Sequence, residues 1–502
     1  MAKYQFGIDF GACNLKCVRA DNSRVRPVRL TTNDDGSFHT PNAIYYRKNK
    51  GGDIENILGQ SAVNMGTMEP KNLVVGLKRK LEQKDWRQFI PTLNCEVDAE
   101  KVTTDIFKKI FDMATRNVPI GEVAHAAVTV PVIFTKHQRH LIKSAAENAG
   151  FKVDGVINES FAAIFGVKAE NDSLNVIFDF GGSTLDVSII KFNEKEVQEL
   201  AAAGLRLGGL DIDRNILEKI LKPKYGKKLA DRWQALNADD LQMDFTRKLK
   251  ENLYADDFNE SADAALVDAY FDFKLSRAEV ETLLESSGYR EKIIAMLDEL
   301  FDEGEDYFEK SDVTKIWAMG GSMRIPYFKK LLEDYFGAEL FDAQDYDFED
   351  NEELIGGLED KYLIVAGGAA NFQQRRESIK AVNAIPYRIC YSLGKTLRLG
   401  IAKNTPAGFE TLNLRLKLSE LEKCGWKIEL YQTFNDKADF ESAAYLGEVQ
   451  LDSAKYEKKE MPALKMKMMV DGRLRLHFYE RRLINDDADT VLVEEIFLNL
   501  ED

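Results

Sequence analysis

Two short stretches of this 502-residue chain say nearly the same thing. Residues 176–190 read VIFDFGGSTLDVSII: an apolar strand reaches Asp179, then turns back through Gly181, Gly182, Ser183 and Thr184 into a strand carrying Asp186. Residues 6–18 read FGIDFGACNLKCV, which lays Asp9, Gly11 and Lys16 on the positions of Asp179, Gly181 and Asp186. A carboxylate at a strand end followed by glycines does two jobs. Glycine lets backbone N–H groups approach phosphate oxygens, and the acid holds a hydrated magnesium ion against the same phosphates. One such hairpin is weak evidence, because Asp–Gly turns are common in ordinary β structure. Two copies, 170 residues apart and both in an α/β setting, predict a duplicated fold closing on a nucleotide from both sides.

That setting is legible over residues 1–383, where strand-like and helix-like pieces alternate. AHAAVTVPVIF (124–134) is a buried strand that breaks at Pro131. A helix follows, with Thr135 as N-cap, Leu141, Ile142, Ala145 and Ala149 on one face, and Gly150 as its stop. FKVDGVI returns as a strand and NESFAAIFGV as another helix. Further on, KIWAMGGSMRIPYFKKLLEDYFG is strand, glycine turn, then a helix opened by Pro326 and closed by Gly337. Between about 215 and 310 the spacing predicts mostly helix. After 384 the period changes. LNLRLKLS (412–419), KIELYQ and LKMKMMV alternate as half-buried strands, and Asp471-Gly472 predicts a tight hairpin into RLRLHF. Residues 384–502 therefore read as a separate small β domain, whose tail INDDADTVLVEEIFLNLED (484–502) is too short for a helical bundle.

Composition narrows the function classes. The net charge of −16 argues against a wide nucleic-acid footprint, which needs clustered Lys and Arg. From residue 384 on there are 18 basic and 20 acidic residues, so −14 of that charge lies in 1–383. The wholly non-basic stretch 341–360 reads as a solvated acidic loop. No apolar run approaches the roughly 18 residues of a membrane span, and the start is already strand-like. Five cysteines without metal or disulfide spacing fit a reducing, cytoplasmic setting. His137 and His140, without acidic or cysteine partners nearby, read as a surface pair.

Two further glycine turns join the hairpins. AMGGSMRIP (318–326) opens a helix, where backbone amides favour an anionic or polar ligand edge, and GLRLGGLDID (204–213) is the fourth. Taken together and in this order, the four resemble the heat-shock protein 70 family, the DnaK-type molecular chaperones related to actin and the sugar kinases. FGIDFGACN and DFGGSTLDVSI resemble the two phosphate hairpins, and AVTVPVIFTKHQRHLIKSAAENAGFKVDGVINESFAAIFG the stretch between them. LRLGGLDID resembles the following loop, and MGGSMRIPYFKKLLEDYFG the adenosine turn. SLG, IAKNTP, LGEVQLD and MPALKMKMMVDGRLRLHF resemble pieces of the family's substrate-binding β-sandwich.

The resemblance implies an actin-like two-lobed ATPase, a duplicated ribonuclease-H-like fold, over 1–383, with lobe I at about 1–175 and lobe II at about 176–383. A small antiparallel β-sandwich would follow over 384–502 without the family's helical lid. It implies ATP or ADP with Mg2+ as cofactors, Asp9 and Asp179 holding the metal through its waters. Lys78, by itself one charge on a basic helix, would reach the γ-phosphate and the attacking water. Glu159, by itself a helix-start carboxylate, would orient water or metal. Thr184 would bond the γ-phosphate, with Asp186 close by. Gly11, Ala12, Cys13, Lys16, Gly181, Gly182, Ser183, Gly208 and Gly209 would line the phosphates. Lys250 would lie along the adenine, and Gly320, Gly321, Ser322 and Arg324 would flank the adenosine. Pro131 and Arg139 match the residues through which the family links nucleotide state to its substrate domain, although a strand end and a surface helix residue would look the same. The implied partners are an unfolded or extended polypeptide, or a dedicated protein client, with a co-chaperone or exchange factor; neither nucleic acid nor membrane is implied.

The departures are specific. Ala12 and Cys13 replace two threonines, removing two hydroxyls near the phosphates, while Lys16 stands where actin carries a phosphate-contacting lysine. Ser183 replaces a third glycine, Leu210 a glutamate and Tyr362 an aspartate. The linker SIKAVNAIPYRI (378–389) lacks the family's aspartate-bounded leucine run, and the loop between SLG and IAKNTP is shorter. These changes spare nucleotide binding more than hydrolysis, and hydrolysis more than general peptide grip. The expectation is an ATP-dependent chaperone; the alternative is a nucleotide-gated interaction protein with little ATPase activity, serving one partner.

Overall fold

A computed structural model describes residues 4–21, 24–31, 38–83, 85–119, 121–233, 238–255, 260–263, 274–303, 308–342, 361–382, 387–405, 411, 414–434, 440, 443–456, 461–468, 473–484 and 487–499, to which every structural statement applies. Most of the acidic stretch 341–360, the Asp471-Gly472 turn and part of the linker lie outside them.

The first hairpin pairs Tyr4–Phe10 with Asn14–Asp21 antiparallel. Tyr4–Phe10 also pairs in parallel with Ala124–Val130, and that strand with Lys152–Asn158. Every residue of Tyr4–Phe10 is buried, which explains its near-continuous apolar run. The second hairpin repeats the plan. Ser173–Phe180 lies between Lys315–Met319, parallel, and Leu185–Asn193, antiparallel, and Glu196–Leu205 continues the sheet. Asp9 and Asp179 are each the penultimate residue of a central strand, so both stand at the carboxyl ends of the parallel strands beside them. Ligands of open α/β sheets collect at that edge.

The helices begin and end as their sequences dictate. Thr135 and Gln138 form a capping box for Lys136–Ala149, and Gly150 closes it at φ 117°. Pro326 opens Pro326–Phe336, and Gly337 ends it at φ 103°. From 209 to 303 the described residues are mostly helical and pack on the second sheet. His137 and His140 are exposed.

A third core joins the two sheets: Val18 and Ala127 from the first, Ile177, Ile190 and Trp317 from the second, and the helix Ile364–Arg375 between them. That helix carries the small residues AGGAA, and its backbone meets its neighbours directly. A Cβ on Gly7 would fall 2.0 Å from the Ala366 carbonyl oxygen, and one on Gly368 would fall 1.9 Å from that of Ala162.

Residues 388–499 form two four-stranded sheets around a core of their own. One runs in the order Thr396–Ile401, Arg388–Leu393, Lys427–Thr433, Ala444–Gln450; the other in the order Leu414–Arg415, Met461–Met468, Arg473–Ile484, Asp487–Asn499. One reading changes. Among the described residues the strand expected over 412–419 covers only Leu414–Arg415, because Leu418–Lys423 is a helix that buries Leu421 and offers Glu420 to Arg398 at 2.7 Å. The C-terminal tail is the outermost strand of its sheet.

These sheets touch the rest of the chain at defined points. Ala202 N–H, beyond the part of its strand that pairs with Lys380–Val382, donates to Asn404 Oδ1 at 2.9 Å. Lys403 Nζ lies 2.6 Å from Glu299 Oε1, and Lys136 N–H donates to Gln432 Oε1 at 3.2 Å.

Candidate functional site

The two hairpin turns face each other. A Cβ on Gly182 would meet Cys13 Sγ at 2.5 Å, so the second turn must be bare for the first to approach. Asn42 holds the first turn, donating its side-chain N–H to the Gly11 carbonyl oxygen at 2.8 Å and its backbone N–H to that of Cys13 at 2.8 Å. The Gly208-Gly209 loop is stitched to the second: Gly209 N–H donates to Gly181 O at 3.0 Å and Leu210 N–H to Gly182 O at 2.8 Å. Gly208 sits so close that its Cβ would fall 2.4 Å from the Gly182 carbonyl oxygen.

The third turn closes on the same place. Ser322 Oγ–H donates to Gly181 O at 2.9 Å. Gly320, at φ 90°, approaches so nearly that a Cβ would lie 2.6 Å from Asp179 Oδ1. Lys250 reaches in from the helix Ala238–Leu253, 2.7 Å from Asp213 Oδ1 and donating to Gly209 O at 3.1 Å. Arg324 faces outward onto the Tyr362 ring, 5.1 Å from its centroid. Where the family pattern expects an aspartate, this chain thus presents an aromatic face to Arg324. All four glycine turns therefore converge.

Between the hairpins lie four buried carboxylates and two lysines. Lys78 is only 3% exposed and bonds Glu159, 81 residues away. Lys16 Nζ donates to Asp9 Oδ2 at 2.7 Å. Val132 N–H donates to Asp186 Oδ1 at 2.7 Å, and the Thr184 hydroxyl lies near enough to favour the ionised form of that carboxylate. Asp186 Oδ2 is buried with no hydrogen-bond partner. Burial, together with Asp186 and Asp9, pushes the Asp179 carboxyl up to about 7. Burial pushes Glu159 up to about 8 against the pull of Lys78. For Lys78 and Lys16, burial alone would lower the pKa; the surrounding carboxylates outweigh it and keep both charged.

This surplus of buried acid, with one oxygen orphaned, fits a bound cation. Among the described residues no three His, Cys, Asp or Glu side chains are placed to ligate an ion directly. A magnesium ion would therefore be held through its waters and a ligand's phosphates.

Pro131 and Arg139 belong to the wall of this site. Arg139 donates to Pro131 O at 3.3 Å, Phe134 O at 3.2 Å and Asn158 Oδ1 at 2.5 Å. Asn158 donates in turn to Glu199 Oε2 at 3.2 Å, which ties the wall to the strand that holds Asn404. The 131–134 segment is thus gripped by Asp186 on one side and Arg139 on the other.

Sequence reasoning missed four contacts. Asp213 pairs with Lys250, Arg247 lies close enough to act on Cys13, and Arg79–Asp211 (2.6 Å) and Arg206–Glu82 (3.4 Å) join the two halves around the site. Asp211 and Asp213 stand inside the glycine loop already singled out, which was the available signal. Arg79 and Glu82 read as ordinary surface charges.

A profile of the family described as Hsp70 protein matches residues 5–475. The chain belongs to the Hsp70 family. It is 31% identical over 304 residues to "Chaperone protein DnaK" of Picrophilus torridus, a match covering 57% of this chain and 47% of that one. It is 31% identical to "Chaperone protein DnaK" of Thermoplasma volcanium, covering 66% and 54%, and 27% identical to "Chaperone protein dnaK" of Cyanidioschyzon merolae, covering 66% and 58%. The chain thus spans about half the length of the curated relatives it matches. The several sheets and mixed α/β build of this Hsp70 member are consistent with an actin-like ATPase. Among the described residues no helix is long and apolar enough to cross a membrane.

Proposed function

We propose that this Hsp70 member is an ATP-dependent molecular chaperone, in which Mg-ATP binding and hydrolysis over 1–383 control the grip of a β-sandwich over 384–502 on extended polypeptide. The observation that carries the reading is the convergence of four glycine turns around buried carboxylates and two lysines. In this reading the repeated sheet plan is the duplicated, ribonuclease-H-like pair of lobes, about 1–175 and 176–383. ATP lies between them, its phosphates against the bare turns Gly11–Cys13 and Gly181–Ser183. The adenosine lies along Gly320, Gly321, Ser322, Arg324 and Lys250.

Phosphoryl transfer to water needs positioning and charge neutralisation more than covalent chemistry. Lys78 draws negative charge from the γ-phosphate, and Glu159, bonded to it, orients the attacking water. Thr184 gives its hydroxyl proton to a γ-oxygen, and Asp186 beside it is held by the Val132 N–H. Asp179 and Asp9 would hold the waters of a magnesium ion, which would supply further charge neutralisation. A change at Asp186 would reach Arg139 through the 131–134 segment, and the Asn158–Glu199 contact leads on toward Asn404. That chain of contacts supports coupling to the β region. The partners in this reading are unfolded or extended segments, paired by their backbone to a strand edge, with a co-chaperone or exchange factor, in the cytoplasm.

One observation favours the second reading, a nucleotide-gated interaction protein with little turnover: the first turn offers Ala12 and Cys13 in place of hydroxyls, and Lys16 already occupies Asp9. Single-turnover hydrolysis of Mg-ATP with and without unfolded peptides, beside calorimetric ATP and ADP affinities, separates the two. Slow hydrolysis accelerated by peptides supports the chaperone. Tight binding without turnover supports the gated partner.

A further inference from the structure

We propose that the end of the first sheet remote from the glycine turns is a second ligand site, shaped for a small zwitterion of the free amino-acid class. The site stands apart from the nucleotide reading and does not depend on it. Tyr4–Phe10 is wholly buried, yet it carries an amide, Gln5, that makes no side-chain hydrogen bond among the described residues. Gln5 lies four residues before Asp9, about 13 Å away at about 3.3 Å per residue, at the amino ends of the parallel strands. Register places His125 opposite Gln5 and Lys152 opposite His125, so the three share one face of the sheet. The helix Ile364–Arg375 packs on that face, as the contact of Gly7 with Ala366 shows. The end of this helix and the residues just after it bring Gln373, Arg376 and Glu377 to the same row, and together these side chains border a cavity of about 250 Å³. That is smaller than the roughly 300–1,000 Å³ of pockets for drug-sized ligands.

A bulge builds the wall. Ala126 lies opposite Val153 and Ala127 opposite Gly155, which leaves Asp154 as the extra residue and turns its carboxylate onto its neighbours. His125 Nδ1 lies 2.6 Å from Asp154 Oδ2, Gln373 donates its side-chain N–H to the same carboxylate, and Arg376 Nη2 lies 3.3 Å from Oδ1. With these partners Asp154 has no call for a metal ion. The groups around it are left uncommitted. Gln373 is 2% exposed, and its Oε1 is buried with no hydrogen-bond partner, an acceptor that lacks a donor. Lys152 and Glu377 form no ion pair among the described residues. The cavity therefore offers one free ammonium, one free carboxylate and one orphaned amide oxygen. A ligand of a single sign leaves one of the two charges unanswered, whereas a zwitterion answers both. Its carboxylate would lie against Lys152 and the remaining N–H donors of Arg376. Its ammonium would lie against Gln373 Oε1, Glu377 and the negative end of the helix.

The test titrates glycine, L-serine and L-glutamine into the full chain, read by calorimetry and saturation-transfer NMR, beside acetate and methylamine as single-charge probes. At least one amino acid should bind, with acetate and methylamine each weaker by about tenfold or more. Lys152→Met and Glu377→Gln change exposed side chains, so the fold should survive both, and each should weaken that amino acid by about tenfold or more. Gln373→Met removes the orphaned acceptor and should weaken it likewise, with a circular dichroism melt confirming that this variant is folded. No binding of any of the three amino acids at about 10 mM overturns the inference. So does acetate or methylamine binding as well as the amino acid, or affinity unchanged in both Lys152→Met and Glu377→Gln.

Discussion

Cys13, in the turn of the first hairpin, lies against Gly182 in the turn of the second, with room for no atom beyond the glycine hydrogen. This contact sets the separation of the two turns, and therefore the span across which a polyphosphate can be gripped from both sides. Gly182→Ala drives a methyl to 2.5 Å from the Cys13 sulfur. Overpacking of this kind costs about 1–3 kcal/mol, and we expect nucleotide affinity to fall with the melting temperature. Cys13→Ala in the same chain relieves the clash and should recover both. Calorimetry and thermal melts on the single and double variants check this; a double variant as weak as the single would mean the two turns do not share a boundary.

Lys78→Ala should lower single-turnover hydrolysis by about a hundredfold or more while leaving nucleotide binding largely intact, since the lysine acts on charge that develops during transfer. It also strands a buried Glu159, and removing one partner of a buried pair costs about 3–5 kcal/mol. Lys78→Met with Glu159→Gln should regain most of that stability and none of the activity. Undiminished hydrolysis in Lys78→Ala would take Lys78 out of the site.

Thiol labelling reads the same pocket without needing turnover. Burial pushes the Cys13 thiol up, partly countered by Arg247 and Lys250, whereas Cys95 is exposed. The thiolate is the reactive form, so a raised pKa means less of it at neutral pH. Iodoacetamide at pH 7, followed by mass spectrometry, should therefore modify Cys95 first and Cys13 slowly. Because its thiol pKa is raised, the Cys13 rate should keep rising as the pH passes the ordinary thiol value of about 8.5. Bound ATP should slow Cys13 further. Equal rates at the two positions would contradict the packing of the first turn.

At the contact with the C-terminal sheets, Asn404 is buried at φ 60° and accepts the Ala202 N–H. Asn404→Ala leaves that buried donor without this acceptor, a cost of about 1–3 kcal/mol, and adds the strain of a left-handed alanine. Asn404→Gly relieves the strain alone. Amide exchange at Ala202 should accelerate in both variants, and the melting temperature should drop further for alanine. Unchanged exchange at Ala202 would mean the two regions are not held together here.

What was legible in the sequence was local. The hairpins, the Thr135 cap, the Gly150 and Gly337 stops and the Pro326 start depend on residues a few positions apart, and all appear where expected. The site beyond them was not legible, because its contacts span the chain. Nothing near Lys78 marks it as buried, since its partner Glu159 follows after 81 residues of strand and helix. Arg324 beside Tyr362 and Ala202 beside Asn404 are likewise products of the fold. Leu418–Lys423 misled for a different reason: alternation of Leu with polar residues over eight positions also accommodates the start of a short helix, and only the burial of Leu421 decides between them.

The close approach of Gly7 to Ala366 and of Gly368 to Ala162 has a mechanical consequence. Sliding of one element over another needs a layer of side chains that can re-seat from groove to groove, and here backbone rests on backbone. The helix Ile364–Arg375 therefore cannot act as a shear plane between the two sheets. Opening around a ligand then has to be a hinge about this helix, and it must part the ion pairs that join the two halves, Arg79 with Asp211 and Glu82 with Arg206.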